Sequence, residues 1–168
     1  MLRVLFDTNI YGDLLNESDA GEIEDRIAKE KEFIVYDYRP IRKEIRDIPT
    51  TTPLSKRTRG LLLSMYDRIT GNHHLKDSEI ILKLAQEYYE QYRKLGGIHG
   101  WHTSIRIDFM IVACASIQGL DIVYSNDNKT LLSSYALAAY DHINMKSNWR
   151  TPKFLKYVNL LKKFRSLL

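Results

Sequence analysis

Four acids far apart in the chain, Asp7, Glu44, Asp108 and Asp127, are the residues whose type and setting could do chemistry. Val4-Leu5-Phe6 runs into Asp7-Thr8-Asn9, and Ile122-Val123-Tyr124 runs into Ser125-Asn126-Asp127. If both apolar runs are parallel strands, Asp7 and Asp127 stand beyond strand carboxyl ends, where open α/β sheets bind ligands. Asp, Asn and Ser are also favoured helix N-caps, so capping explains either acid taken alone. Asp108 is different. It lies in Ile105-Arg106-Ile107-Asp108-Phe109-Met110-Ile111-Val112-Ala113, a stretch apolar on nearly every side, which predicts a buried helix. An unpaired carboxylate there costs several kcal/mol or takes up a proton. It needs a partner, either a bound cation or a basic side chain such as Arg106. Its place in the first turns of the helix favours negative charge. Glu44, in Arg42-Lys43-Glu44-Ile45-Arg46, reads by itself as a solvated helix face, and Asp37 and Asp47 compete for its role.

Carboxylates that converge repel one another unless cations lie between them. Oxygen-only ligand sets suit Mg²⁺ or Mn²⁺. Such ions activate water, polarise a phosphoryl oxygen and stabilise a leaving oxygen, the three needs of nucleic-acid backbone hydrolysis.

The elements that must position these acids alternate. Strands are expected at Leu2 to Phe6, Phe33 to Tyr36 and Asp121 to Tyr124, with a short final strand at Ile143 to Met145. Helices are expected from Asp7-Thr8-Asn9 through Leu15, at Ala20 to Lys31, at Tyr38 to Asp47 and at Thr103 to Gln118. Another runs from Ser125 through about Ala139. Ser55 to Thr70 and Ser78 to Leu95 read as a helical pair inserted between strands, suited to a lid, a dimer surface or packing. A basic C-terminal helix is expected from Thr151 to about Arg165, with Thr151 as N-cap and Pro152 at its first position. Alternating strands and helices predict an α/β fold with a mainly parallel sheet.

The 168 residues, with 44% hydrophobic and 27% charged, fit one domain with a real core. No apolar run approaches the length of a membrane span, and Asp7 comes too early for a secretory signal, so a cytoplasmic protein is expected. A lone Cys114 excludes a disulfide framework and a cysteine-built zinc site. The net charge of +4 is unevenly spread. Arg39 to Gly60 carries seven basic residues against Glu44 and Asp47, and Lys146 to Leu168 carries seven and no acid, while Glu17 to Glu32 is acidic. Two basic surfaces suit a polyanion such as RNA, and each by itself also suits a solvated helix face. His73-His74 and His99-Gly100-Trp101-His102 lack zinc-ligand spacing, and the tyrosines Tyr88, Tyr89 and Tyr92 suit packing or a homodimer contact as well as base stacking.

Leu5-Phe6-Asp7-Thr8-Asn9-Ile10 resembles the opening motif of PIN-domain nucleases. Arg42-Lys43-Glu44-Ile45 resembles their second acidic motif, Asp108 to Ala115 the third, and Ile122 to Asp127 the fourth. The resemblance covers Met1 to about Met145. It implies a Rossmann-like three-layer α/β/α sandwich and a metal-dependent ribonuclease. It implies that Asp7, Glu44, Asp108 and Asp127 hold one or two ions and that one of them positions the attacking water. Asn9 and Ser125 would support the site by hydrogen bonding. The family includes the VapC toxins, which pair with a small antitoxin protein. The chain departs from the family pattern in the helical segment 55–95 and in its basic C-terminal helix. Two other readings follow from the residues: a PIN-like module that binds RNA or protein without cleaving, and a phosphatase of the haloacid-dehalogenase type. The phosphatase chemistry needs an acid two positions after Asp7, where this chain has Asn9.

Overall fold

The computed structural model describes residues 1–165, so the last three positions of the basic stretch ending at Leu168 lie outside the described residues. The elements in order are β1 (Leu2–Phe6), α1 (Thr8–Leu15), α2 (Ala20–Lys29), β2 (Phe33–Val35), β3 (Asp37–Tyr38), α3 (Arg39–Arg46) and α4 (Pro53–Thr70). There follow β4 (His74–Leu75), α5 (Glu79–Leu95), α6 (Ile105–Ile117), β5 (Ile122–Tyr124), α7 (Ser134–Ser147), β6 (Lys153–Leu155) and α8 (Tyr157–Arg165).

The main sheet is four parallel strands in the order β2-β1-β5-β6. Helices flank it in a three-layer α/β/α arrangement. β1 and β5 are the inner strands, and Val4, Leu5, Phe6, Ile122, Val123 and Tyr124 are all buried, as strands covered on both faces require. The chain leaves β1 towards β2 on one side, and β5 pairs on the other side. The carboxyl ends of β1 and β5 therefore flank the point where the crossovers diverge, the place where such sheets open a crevice.

One helix group is α5, α6 and α7, with α6 lying on β1 and β5. The other contains α1, α2, α3 and α4, with α8 packed on α2. The segment 55–95 thus divides: α4 packs on α1, α2 and α3, while α5 packs on α6 and α7. Between them β4 pairs with β3, Asp37 opposite His74 and Tyr38 opposite Leu75. This two-residue ladder, which nothing in the sequence announces, anchors the start of α3. Tyr66 reinforces it by donating to Asp37 Oδ1 at 2.6 Å and accepting from the Tyr38 amide at 3.0 Å.

Three expected elements are corrected. The final strand is β6, not Ile143 to Met145, which lies inside α7. Asn144 is buried there, accepting from Tyr88 at 2.5 Å and donating to Ser116 at 3.0 Å, a network that needs the helical register. The C-terminal helix begins at Tyr157 rather than Thr151, because Lys153 to Leu155 pair with β5 and the Thr151 hydroxyl accepts from Asn144 at 2.9 Å. Residues 128–132 form turns, and α7 starts at Ser134 with Ser133 as its N-cap. Among the described residues, no helix is long and apolar enough to cross a membrane.

Candidate metal centre

Asp7 leaves β1 in an extended conformation and caps α1: its Oδ1 accepts from the Thr8 amide at 2.8 Å. Its Oδ2 accepts from the Ser125 hydroxyl at 2.7 Å, which ties the end of β1 to the end of β5. Asp127 divides its oxygens in the same way. Oδ1 accepts from the Lys129 and Thr130 amides, each at 3.0 Å, and Oδ2 meets the Thr130 hydroxyl. Each carboxylate thus uses one oxygen on backbone amides and turns the other to a hydroxyl, Ser125 for Asp7 and Thr130 for Asp127. Asp108 comes from the first turn of α6, the helix lying across β1 and β5. One oxygen from each of Asp7, Asp108 and Asp127 lies within 4.8 Å of the other two.

Asp7 is 4% exposed and Asp108 5%. Among the described residues, no lysine, arginine or histidine pairs with Asp7, Asp108 or Asp127. Arg106, the nearest basic residue in sequence to Asp108, lies over the Trp101 ring instead. Without a counter-charge, burial pushes the Asp7 carboxyl up to about 6, against the opposing pull of Ser125 and Thr8. Burial, then the charge of Asp7, pushes Asp108 up to about 8. The Thr130 hydroxyl touches Asp108 Oδ2 at 2.6 Å and Asp127 Oδ2 more closely still. One hydroxyl carries one proton and can donate to one carboxylate at a time. The second contact needs another proton or a cation. In addition, Thr8 Oγ1 is buried beside Asp7 with no hydrogen-bond partner among the described residues. Oxygen donors alone, negative charge in excess and unfilled hydrogen-bonding capacity together fit a hard divalent ion.

Glu44 does not join the gathered oxygens. It is half-buried on α3, has no hydrogen bond or ion pair among the described residues, and its charge raises both Asp7 and Asp108. Its competitors are occupied elsewhere: Asp47 pairs with Lys43, and Asp37 with Tyr66 and His74. Ser125 donates to Asp7 and accepts from the Asp127 amide at 3.0 Å. Asn9 acts one step further out, accepting from the Asn126 amide at 3.3 Å. Among the described residues, no histidine joins a group of three metal-ligating side chains. Cys114 is buried core, its thiol pushed up to about 12 by burial.

Two residues escape a reading of the sequence alone. Asn126 donates to Asp13 at 2.7 Å and accepts from the Tyr157 amide at 3.0 Å, fixing the loop between α1 and α8. Thr130 joins Asp108 to Asp127. No local spacing marks it, since its partner Asp108 lies on another element. Thr130→Val keeps the shape and removes the link, so we expect Mn²⁺ affinity to fall by about 10-fold to 100-fold, as for other residues that orient metal ligands. Titration calorimetry reads this, and an unchanged affinity would show that Thr130 serves the turn alone.

No family model matches the chain, and a search of curated proteins finds no match to its sequence.

Proposed function

We propose that the chain is a metal-dependent nuclease of the PIN type that hydrolyses RNA phosphodiester bonds. The observation that supports this most is the set of three carboxylates, two of them buried, without a basic partner among the described residues at the divergence of the parallel sheet. Asp7, Asp108 and Asp127 would hold Mg²⁺ or Mn²⁺. A divalent ion there supplies an activated water and neutralises charge on the phosphoryl and leaving oxygens. The chain's own contribution is orientation. Ser125 aims Asp7, Thr130 aims Asp108 and Asp127, and the α6 first turn favours the negative charge it carries. Glu44, without a hydrogen bond or ion pair among the described residues and close enough for its charge to raise Asp7 and Asp108, is the group available to orient the attacking water and accept its proton.

The test is incubation of mixed-sequence RNA and of single-stranded DNA with purified protein in Mn²⁺, in Mg²⁺ and in EDTA. Cleavage of RNA with either ion, absent in EDTA and in Asp7→Asn, is the expected result. Tight binding of RNA that stays intact with both ions would favour the binding module, and cleavage confined to DNA would change the substrate.

A further inference from the structure

Between α3 and the start of α6 lies a cleft of about 500 Å³, within the range that holds small ligands. Arg39, Lys43 and Arg106 line it over an apolar floor of Pro40, Ile107 and Met110. We propose that this cleft is a nucleotide subsite, taking one phosphate with its sugar and base from a single-stranded nucleic acid. The further statement that the neighbouring phosphate of that strand reaches the acids rests on the nuclease reading.

Neither arginine of the cleft has an acid partner among the described residues, whereas Arg42 pairs with Asp67, Arg68 with Asp25, Arg150 with Asp121, and Arg165 with Glu17 and Asp19. Arg39 has no hydrogen bond or ion pair among the described residues, and Arg106 lies only over the Trp101 ring, 5.9 Å from its centre. Two uncompensated guanidiniums thus face one space, the planar donor type that suits phosphate. Asp77 is the single acid on the lining, and it is engaged, accepting from Tyr38 and from the Ser78 amide at 3.0 Å each. The amino ends of two helices open on the same space. α3 begins at Arg39 with no side-chain cap, and Thr103 precedes α6. Both dipoles add positive potential.

The apolar floor selects among anions, because a free phosphate gains nothing from Ile107 and Met110, whereas a phosphate that carries a sugar and base buries apolar area on them. The two helices that form the cleft also carry two of the candidate acids, Glu44 on α3 and Asp108 on α6.

The test reads binding without cleavage: fluorescence anisotropy of a labelled single-stranded oligouridine RNA in EDTA. The charge-reversal pair Arg39→Glu and Arg106→Glu should weaken binding by about 10-fold or more. It should also flatten the dependence on log salt by about 0.7 for each phosphate that is no longer neutralised. The charge-matched pair Lys83→Glu and Arg93→Glu on the exposed side of α5 should stay within about twofold of the parent. Arg39→Gln with Arg106→Gln guards against misfolding by charge reversal, and retained Mn²⁺ binding by these variants shows that the acids are intact. Equal losses in the two charge-reversed proteins, no loss in the cleft variants, or displacement by poly-glutamate as readily as by RNA would each overturn the subsite. Because the readout needs no catalysis, the two readings fail separately. RNA that binds through the cleft but is never cut removes the nuclease and leaves the subsite, while cleavage indifferent to the cleft variants does the reverse.

Discussion

Asp108→Asn should abolish Mn²⁺-dependent RNA cleavage, by about 10³-fold or more, and at the same time make the metal-free protein more stable at pH 8. The loss follows from removing one of three charged oxygen donors, when ion-mediated charge stabilisation supplies several kcal/mol of a barrier reduction. The gain follows from burial. Asp108 is 5% exposed, has no basic partner among the described residues, and has an oxygen within 4.8 Å of oxygens of two other carboxylates. An ionised group in that setting is a standing penalty on folding that an ion relieves and a neutral amide never incurs. Asparagine also preserves the acceptor that meets the Thr130 hydroxyl. Opposite signs on activity and stability separate a functional carboxylate from a structural one, because breaking a structural ion pair lowers both. Cleavage assays beside thermal unfolding in EDTA read the two effects. A variant that is both active and less stable would remove Asp108 from the metal centre.

Much of this arrangement is legible in the residues, for identifiable reasons. β1 and β5 are inner strands covered on both faces, so their sequences are uninterrupted apolar runs ending in polar turns. Asp108 stands out because a charge inside an apolar helix has to be explained. β6 is not legible. Lys153-Phe154-Leu155 lies at the sheet edge with an exposed and two half-buried residues, and Thr151-Pro152 before it carries the local signature of a helix start. Pairing with β5 overrides that local preference, a tertiary effect no window on the sequence contains. Thr130 is hidden for a related reason. Its partner Asp108 lies on another element, and only the turn after β5 brings the hydroxyl to it. The cleft is more hidden still, since Arg39 and Arg106 meet only through the packing of α3 on α6. The basic stretch from Arg39 is visible as a run, yet Arg42, Lys43 and Arg46 on α3 pair with acids, and among the described residues Arg39 is the basic residue of that helix without such a partner.

The same buried acids set the second large effect, a metal-free stability that falls as pH rises from about 4 to 8 and a metal-bound stability that does not. Asp108 has its carboxyl raised to about 8 and Asp7 to about 6, both from an ordinary 3.8. Between the unfolded and folded values the native state binds more protons than the unfolded chain, so unfolding becomes easier with each step up in pH. One such group changes stability by up to about 1.4 kcal/mol per pH unit. Both act below pH 6, and Asp108 alone acts from there to pH 8. Glu17, Asp19, Asp25, Asp47, Asp67 and Asp121 shift the other way, lowered chiefly by hydrogen bonds to basic side chains or, for Asp121, to the Arg3 amide. Their contribution is complete above the ordinary carboxylate range and fades only in stronger acid, so it cannot produce a decline towards pH 8. Saturating Mn²⁺ takes the ionised form of the acids, so its stabilising effect should grow with pH and cancel the decline. Thermal unfolding at several pH values, with EDTA and with Mn²⁺, gives both curves. The difference between parent and Asp108→Asn isolates the Asp108 part. Curves in EDTA that are level from pH 5 to 8, and indifferent to Mn²⁺, would mean that these carboxylates are already ionised and solvated in the apoprotein. No cation would then be needed to hold them together.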